Sequence, residues 1–121
     1  MELNKYCLKS SSFVIDAIEC IENNNSRCAI IINSHNKVIG VISEGDIIRL
    51  LLDQVSLKSP LKNIINKSFK FLKNDEKINE DLVLDIIFKG ITLIPIINDD
   101  RELIDVIISS DFLKNKIFQN K

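Results

Sequence analysis

The sequence predicts an α/β fold made of two tandem copies of one β-α-β-β-α unit. Three observations lead there. A strand, a polar turn and a second strand recur after 65 residues; helically spaced apolar residues precede each hairpin; an aspartate that opens an apolar helix follows each. In the first copy Ile30-Ile31-Ile32-Asn33 leads through Ser34-His35-Asn36-Lys37 into Val38-Ile39-Gly40-Val41-Ile42. In the second, Pro95-Ile96-Ile97-Asn98 leads through Asp99-Asp100-Arg101-Glu102 into Leu103-Ile104-Asp105-Val106-Ile107. Short apolar runs divided by Asn and Ser signal a hairpin. The turn asparagines (Asn33, Asn98) and the helix-opening aspartates (Asp46, Asp111) then fall in one register.

The elements follow in order. Val14, Ala17, Ile18 and Ile21 stand at i, i+3, i+4 and i+7, which predicts a helix over about 12–23, opened by Ser11 or Ser12. Strands are expected over 28–33 and 38–43, then a helix over 45–54. Residues 57–66 read as a connector, with Pro60 in the first turn of a short helix through Leu61, Ile64 and Ile65. Phe69-Lys70-Phe71-Leu72 reads as a short strand. Without a gap in the repeat, Asn79, Leu82, Val83 and Ile86 match the first helix, and a helix over 79–89 stops near Gly90. Strands over 93–98 and 103–108 and a helix over 110–118 complete the second copy. The runs 28–32 and 93–97 barely alternate, so both faces of each should be covered. The units are bounded as 1–56 and 64–121, with a linker at 57–63. A unit of about 60 residues buries only about 60% of its unfolded surface, so the halves are expected to share a core.

Composition narrows the function classes. Lys plus Arg is 16 against 17 for Asp plus Glu, a net charge of −1 with no basic stripe, so nucleic acid is not an expected partner. No apolar run reaches the roughly 18 residues of a membrane span, and the opening segment with Glu2, Asn4 and Lys5 lacks a secretory core. The expectation is a soluble cytoplasmic protein. Cys7, Cys20 and Cys28 have no C-x-x-C spacing and His35 is the only histidine, so neither a disulfide framework nor a metal site is expected. With only Gly40, Gly45 and Gly90, no glycine-rich phosphate loop can be built. The scattered carboxylates and unpartnered cysteines give no acid–base or nucleophile pattern, so no catalytic residue is assigned.

Gly40-Val41-Ile42-Ser43-Glu44-Gly45-Asp46-Ile47, Leu93-Ile94-Pro95-Ile96-Ile97 and Ile64-Ile65-Asn66-Lys67 carry a family resemblance. At these spacings the chain resembles a CBS domain pair, also called a Bateman module, over nearly its whole length. The run Ser43–Arg49, followed by Leu57-Lys58-Ser59-Pro60-Leu61, is similar to the pair that precedes sugar-phosphate nucleotidyltransferase domains, for example mannose-1-phosphate guanylyltransferase-like enzymes. The resemblance implies two units packed through sheet faces about a pseudo-twofold axis, a homodimer, and a regulatory module without catalysis of its own. It also implies an adenine nucleotide (AMP, ADP or ATP), no required cofactor, and a C-terminal catalytic domain to which binding would be coupled.

The candidate site residues carry two readings. Ser43 and Asp46 have S-x-x-D spacing at a strand-to-helix junction, and a capping box accounts for them without any ligand. The same geometry offers helix N–H groups, with Gly45, and the Ser43 hydroxyl to a phosphate. An acidic side chain there can take both ribose hydroxyls, the role that the resemblance implies for Asp46. Glu44 opposes an anion, and nothing in the sequence places Arg27 or Arg49 to compensate. In the second copy Asp111 remains, but Ile108 replaces the hydroxyl residue and Asp105 the glycine, leaving Ser110 or Ser109 as substitutes and a weaker or empty site. By resemblance the adenine slot involves Cys28, Ala29 and Ile30 in the first unit, and Phe71, Ile94 and Pro95 (with Phe69 and Lys70) in the second. For all of these, core packing is the ordinary role of an apolar strand residue. Two other functions stay open: a ligand-free dimerisation scaffold, and a sensor of S-adenosylmethionine or a sugar nucleotide.

Overall fold

The computed structural model describes residues 2–74 and 77–119. Residues up to Phe69 form one compact unit and residues from Lys70 another. In the first, a 3-10 turn at Leu3–Tyr6 runs into β1 (Cys7–Lys9), followed by α1 (Val14–Asn24), β2 (Cys28–Ile32), β3 (Val38–Ser43) and α2 (Glu44–Leu52). The sheet order is β1-β2-β3, with β1 parallel and β3 antiparallel to β2. The second unit holds β4 (Leu72–Lys73), α3 (Glu80–Phe88), β5 (Leu93–Ile97), β6 (Leu103–Ile108) and α4 (Ser109–Gln119), in sheet order β4-β5-β6. The mixed α/β architecture is thus the expected one, and each unit carries its own three-stranded sheet.

The repeat holds in the hairpins down to their irregularities. Cys28 pairs with Ser43 and Leu93 with Ile108, and the register slips at Ile31/Ile32 and again at Ile96/Ile97. In the turns Asn33 N–H donates to Lys37 O at 3.0 Å and Asn98 N–H to Glu102 O at 3.1 Å. Asn33 Oδ1 accepts the His35 and Lys37 N–H groups, and Asn98 Oδ1 accepts that of Glu102. The asparagine recurs because its carboxamide closes an Asx-type turn on its own backbone. Asn36 and Arg101 both take left-handed φ values, 61° and 63°.

The gapless register fails upstream of the hairpins. Asn79 is not the counterpart of Val14; it is the N-cap of α3, its Oδ1 accepting Asp81 N–H at 2.9 Å and Leu82 N–H at 3.3 Å. The cap of α1 is Phe13, so the two helix starts lie 66 positions apart, and Leu82, expected in the core, is 46% exposed while Val83 is fully buried. The first strands shift the other way: Ser10 N–H donates to Ile32 O and Asn74 N–H to Ile97 O, 64 positions apart. Phe69–Leu72 is not a strand; β4 starts at Leu72, and Phe69 belongs to the first unit.

Neither Ser11 nor Ser12 caps α1. The Asp16 carboxylate accepts Phe13 N–H at 2.8 Å, and the other exposed N–H groups of the first turn are met from a distance: Val14 N–H by Ser59 O at 3.0 Å, Ile15 N–H by Leu57 O at 2.9 Å. Unpartnered N–H groups at a helix start need acceptors, and here the connector supplies them. The segment 57–63, expected as a linker, therefore lies against the first unit, with Leu61 fully buried beside Val14, Ala17, Ile31 and Ile42. Pro60 stands before, not within, a three-residue 3-10 turn at Leu61–Asn63. Farther on, Asn66 exchanges backbone hydrogen bonds with Val41 at 3.2 and 3.3 Å, adding a bridge at the edge of β3.

That bridge explains Gly40. A Cβ there would collide with Ile65 Cγ2 and stand 2.8 Å from the Asn66 carbonyl oxygen, a backbone atom held by its pairing with Val41. At Gly45 the nearest atoms to a Cβ, those of Arg49, are 3.4 Å away or more. Gly40→Ala is expected to cost about 1–3 kcal/mol through overpacking, whereas Gly45→Ala should change stability by less than about 1 kcal/mol. Urea unfolding midpoints of the two variants check this, and equal midpoints would remove the packing account of Gly40.

Candidate functional site

The candidate site is built at the junction of β3 and α2. β2 pairs with β3 to its last residue, which sets Ser43 in extended conformation opposite Cys28, with φ −99° and ψ 166°. From there the chain turns into α2 with a reciprocal capping box. Asp46 N–H donates to Ser43 Oγ at 3.1 Å, and Ser43 N–H donates to Asp46 Oδ2 at 2.9 Å. Glu44 N–H donates to Arg27 O at 2.9 Å, which ties the loop before β2 to the same turn. Arg27 itself is exposed and holds a left-handed φ of 63°. The loop keeps that form through buried Asn24, whose Oδ1 accepts both N–H and Oγ–H of Ser26, and whose Nδ2 donates to Cys28 O.

The residue that sequence reasoning left unplaced is Arg49. Its guanidinium folds back toward the start of α2 and donates from Nη2 to Asp46 Oδ1 at 2.6 Å. It lies over Gly45, where a Cβ would stand 3.4 Å from Nη1 and 3.7 Å from Ser43 Oγ. The available signal was the i, i+3 spacing of Asp46 and Arg49, which puts opposite charges on one helix face. Partial burial works against ionisation of Asp46, but the hydrogen bonds from Ser43 N–H, Arg49 and the capping interaction with the Ser43 side chain outweigh it and hold the carboxyl below its usual value. The Cys28 thiol is pushed up to about 12, first by burial and then by the charge of Asp46. A thiol raised that far is protonated at neutral pH.

The structure brings Ser43, Glu44, Gly45, Asp46 and Cys28 together. Ala29 is fully buried in the cluster with α1 and α2 residues, and Ile30 is fully buried on the same strand. In the second unit Ile94 packs with Val83, Ile86 and Ile87 of α3, and Pro95 is buried. Phe71, half-buried, carries the Arg101 guanidinium 5.4 Å from its ring centroid. Ser110 and Asp111 are exposed in the first turn of α4, where Ile108 supplies no hydroxyl. His35 is exposed in its turn. Among the described residues no group of three or more His, Cys, Asp or Glu could hold a metal, and no helix is long and apolar enough to cross a membrane. A shallow depression of about 310 Å³, lined by Ser10, Ser11, Phe13, Pro60 and Lys62, includes none of the candidate residues.

Comparison with known proteins agrees with the fold. Residues 3–53 match the family model of the CBS domain. A protein of Methanocaldococcus jannaschii, MJ1225, is 30% identical over 114 residues, which cover 94% of this chain and 40% of that protein. Its solved structure superposes with a TM-score of 0.78 over 93% of this chain and 46% of that one. The CBS domain protein PAE2072 from Pyrobaculum aerophilum, complexed with AMP, superposes with a TM-score of 0.72 at 19% identity, over 87% and 80% of the two chains. The CBS domain pair of MJ0100, in complex with 5-methylthioadenosine and S-adenosyl-L-methionine, gives 0.75 at 18% identity, over 95% and 89%. The two units therefore have the fold of a tandem CBS pair. The chain spans less than two thirds of the length of the curated relatives it matches.

The capping geometry fixes a pH dependence. A carboxyl whose value is lowered by folding adds stability that is complete above its unfolded value, near 3.8 for Asp, and is lost as pH falls through the folded value. Asp46→Asn should therefore be less stable than the parent at pH 6 and should lose less on acidification below about pH 4. Urea unfolding at several pH values would show the two stability curves converging toward low pH; parallel curves would mean that Asp46 is not held ionised by the fold.

Proposed function

We propose that the chain is a regulatory module that binds an adenine nucleotide at the β3–α2 junction of its first unit. The observation that supports this most is the convergence of three groups on one helix start: the Ser43 hydroxyl, the Asp46 carboxylate and the Arg49 guanidinium. A ribose diol needs an acceptor and a phosphate needs donors, and these residues supply both chemistries within one turn of helix. Ser43 Oγ accepts from Asp46 N–H but keeps its own hydrogen to donate. In this reading Cys28, which pairs with Ser43 and is 6% exposed, supplies the apolar edge against which the base would pack.

The complexes of structurally similar CBS proteins with AMP and with S-adenosyl-L-methionine share an adenosine moiety, which makes adenosine the common element of the proposal. Arg49 then favours a phosphate over a sulfonium. A cation beside the 5′ position attracts the first and repels the second. The second unit, with Ile108 for the hydroxyl and Asp105 for the glycine, is read as the weaker or empty site. Further parts of the proposal are a homodimer, a cytoplasmic location, and coupling to a catalytic domain in a longer protein, of which a sugar-phosphate nucleotidyltransferase is the type we favour. In that scheme the nucleotide acts by population shift, since a ligand moves an equilibrium only by its differential affinity for the two states.

Thermal shift tests the reading. AMP at 100 times its Kd should stabilise the protein by about 2.7 kcal/mol. Asp46→Ala should abolish that shift while the variant still folds, and S-adenosylmethionine should shift the parent less than AMP. Absence of any shift with AMP, ADP or ATP would favour the ligand-free scaffold instead.

A further inference from the structure

The ion pair at the site has a consequence for ligand choice. Both oxygens of Asp46 are engaged within the protein, Oδ2 by Ser43 N–H and Oδ1 by Arg49 Nη2. The first bond belongs to the backbone cap and is fixed by the fold. The second comes from a side chain that is 68% exposed, against 26% for Asp46, and the guanidinium otherwise lies beside Gly45. Exposed pairs of this kind are weak, because solvent screens the charges and the long side chain loses freedom. Arg49 is thus a weakly held partner of Oδ1, the carboxylate oxygen that the backbone cap does not use.

We propose that Arg49 is a latch that occupies the ribose-accepting oxygen of Asp46 in the unliganded protein and is drawn off by the phosphate of an incoming nucleotide. The idea rests on the adenylate reading of this site and adds its selectivity. A nucleoside must displace Arg49 and leave it without an anion. A nucleoside monophosphate takes the carboxylate with its diol and repairs the loss with its phosphate, a charge-assisted contact stronger than the one broken. Discrimination between nucleotide and nucleoside then comes from exchange of partners, and not from added contact alone.

Titration of the parent protein, Arg49→Ala and Asp46→Ala with adenosine and with AMP tests this, using calorimetry for AMP and ligand-observed NMR for weak adenosine binding. Arg49 is exposed and its removal leaves the capping box, so the variant is expected to fold; its melting temperature checks that. Arg49→Ala should bind adenosine about two- to fivefold more tightly than the parent, the equivalent of one exposed ion pair. It should bind AMP about tenfold or more weakly, the loss of a charged hydrogen-bond partner. Adenosine affinity that is unchanged, reduced, or undetectable in both proteins overturns the latch, even where the parent binds AMP and Asp46→Ala does not. A parent that binds no AMP removes the adenylate reading and the latch with it.

Discussion

Two hydrogen bonds between Ser43 and Asp46 join the sheet of the first unit to its last helix, and the candidate site exists because they do. One fixes the direction in which α2 leaves β3; the other holds the carboxylate at the helix start rather than in solvent. A cap of this kind contributes about 0.5–2 kcal/mol. That is modest against a whole domain, but it is concentrated at the one turn where the loop before β2, the end of β3 and Arg49 meet. The helix dipole adds to the same effect, since a carboxylate in the first turn faces the positive end.

The two units show what happens when this exchange is kept or lost. Their hairpins agree residue for residue, including the bulge and the left-handed turn position. Yet at the following helix Ile108 stands in place of Ser43, so the cap of α2 has no equivalent hydroxyl in α4. The duplicated scaffold therefore tolerates substitution better than the duplicated site does. Strand pairing requires only apolar residues of the right shape at alternate positions. The site requires one hydroxyl and one carboxylate three positions apart, and a single substitution removes it.

Much of this was legible in the sequence where the signal is local. The hairpin asparagines, the aspartates and the S-x-x-D spacing each act on neighbouring backbone, so their pattern reveals their job. The failures lie where partners come from a distance. Ser11 and Ser12 have the right chemistry for a cap of α1, but Ser59 O and Leu57 O had already met its N–H groups, a fact no local pattern carries. The strand Cys7–Lys9 is only three residues long and gains its identity from pairing with Ile30–Ile32, so it shows no periodicity of its own. The slip of α3 against the repeat follows from Asn79, which reads as a failed core position in an ungapped alignment and is a cap in the structure. Arg49 was legible as a charge near Asp46, but not as one folded back beside Gly45, because the rotamer of a long exposed side chain leaves no trace in the sequence.

Capping and ligand binding need not compete for Ser43 and Asp46. The cap uses Ser43 Oγ as an acceptor and one carboxylate oxygen of Asp46, leaving a hydroxyl hydrogen and the second oxygen. The structure does not leave that second oxygen idle; it gives it to Arg49. An unpaired, partly buried carboxylate would hold its charge at a cost, and a weak exposed cation lowers that cost without locking the position. One side chain is thus divided between two partners: Oδ2 is held by the backbone N–H of the cap, and Oδ1 by the exposed guanidinium of Arg49.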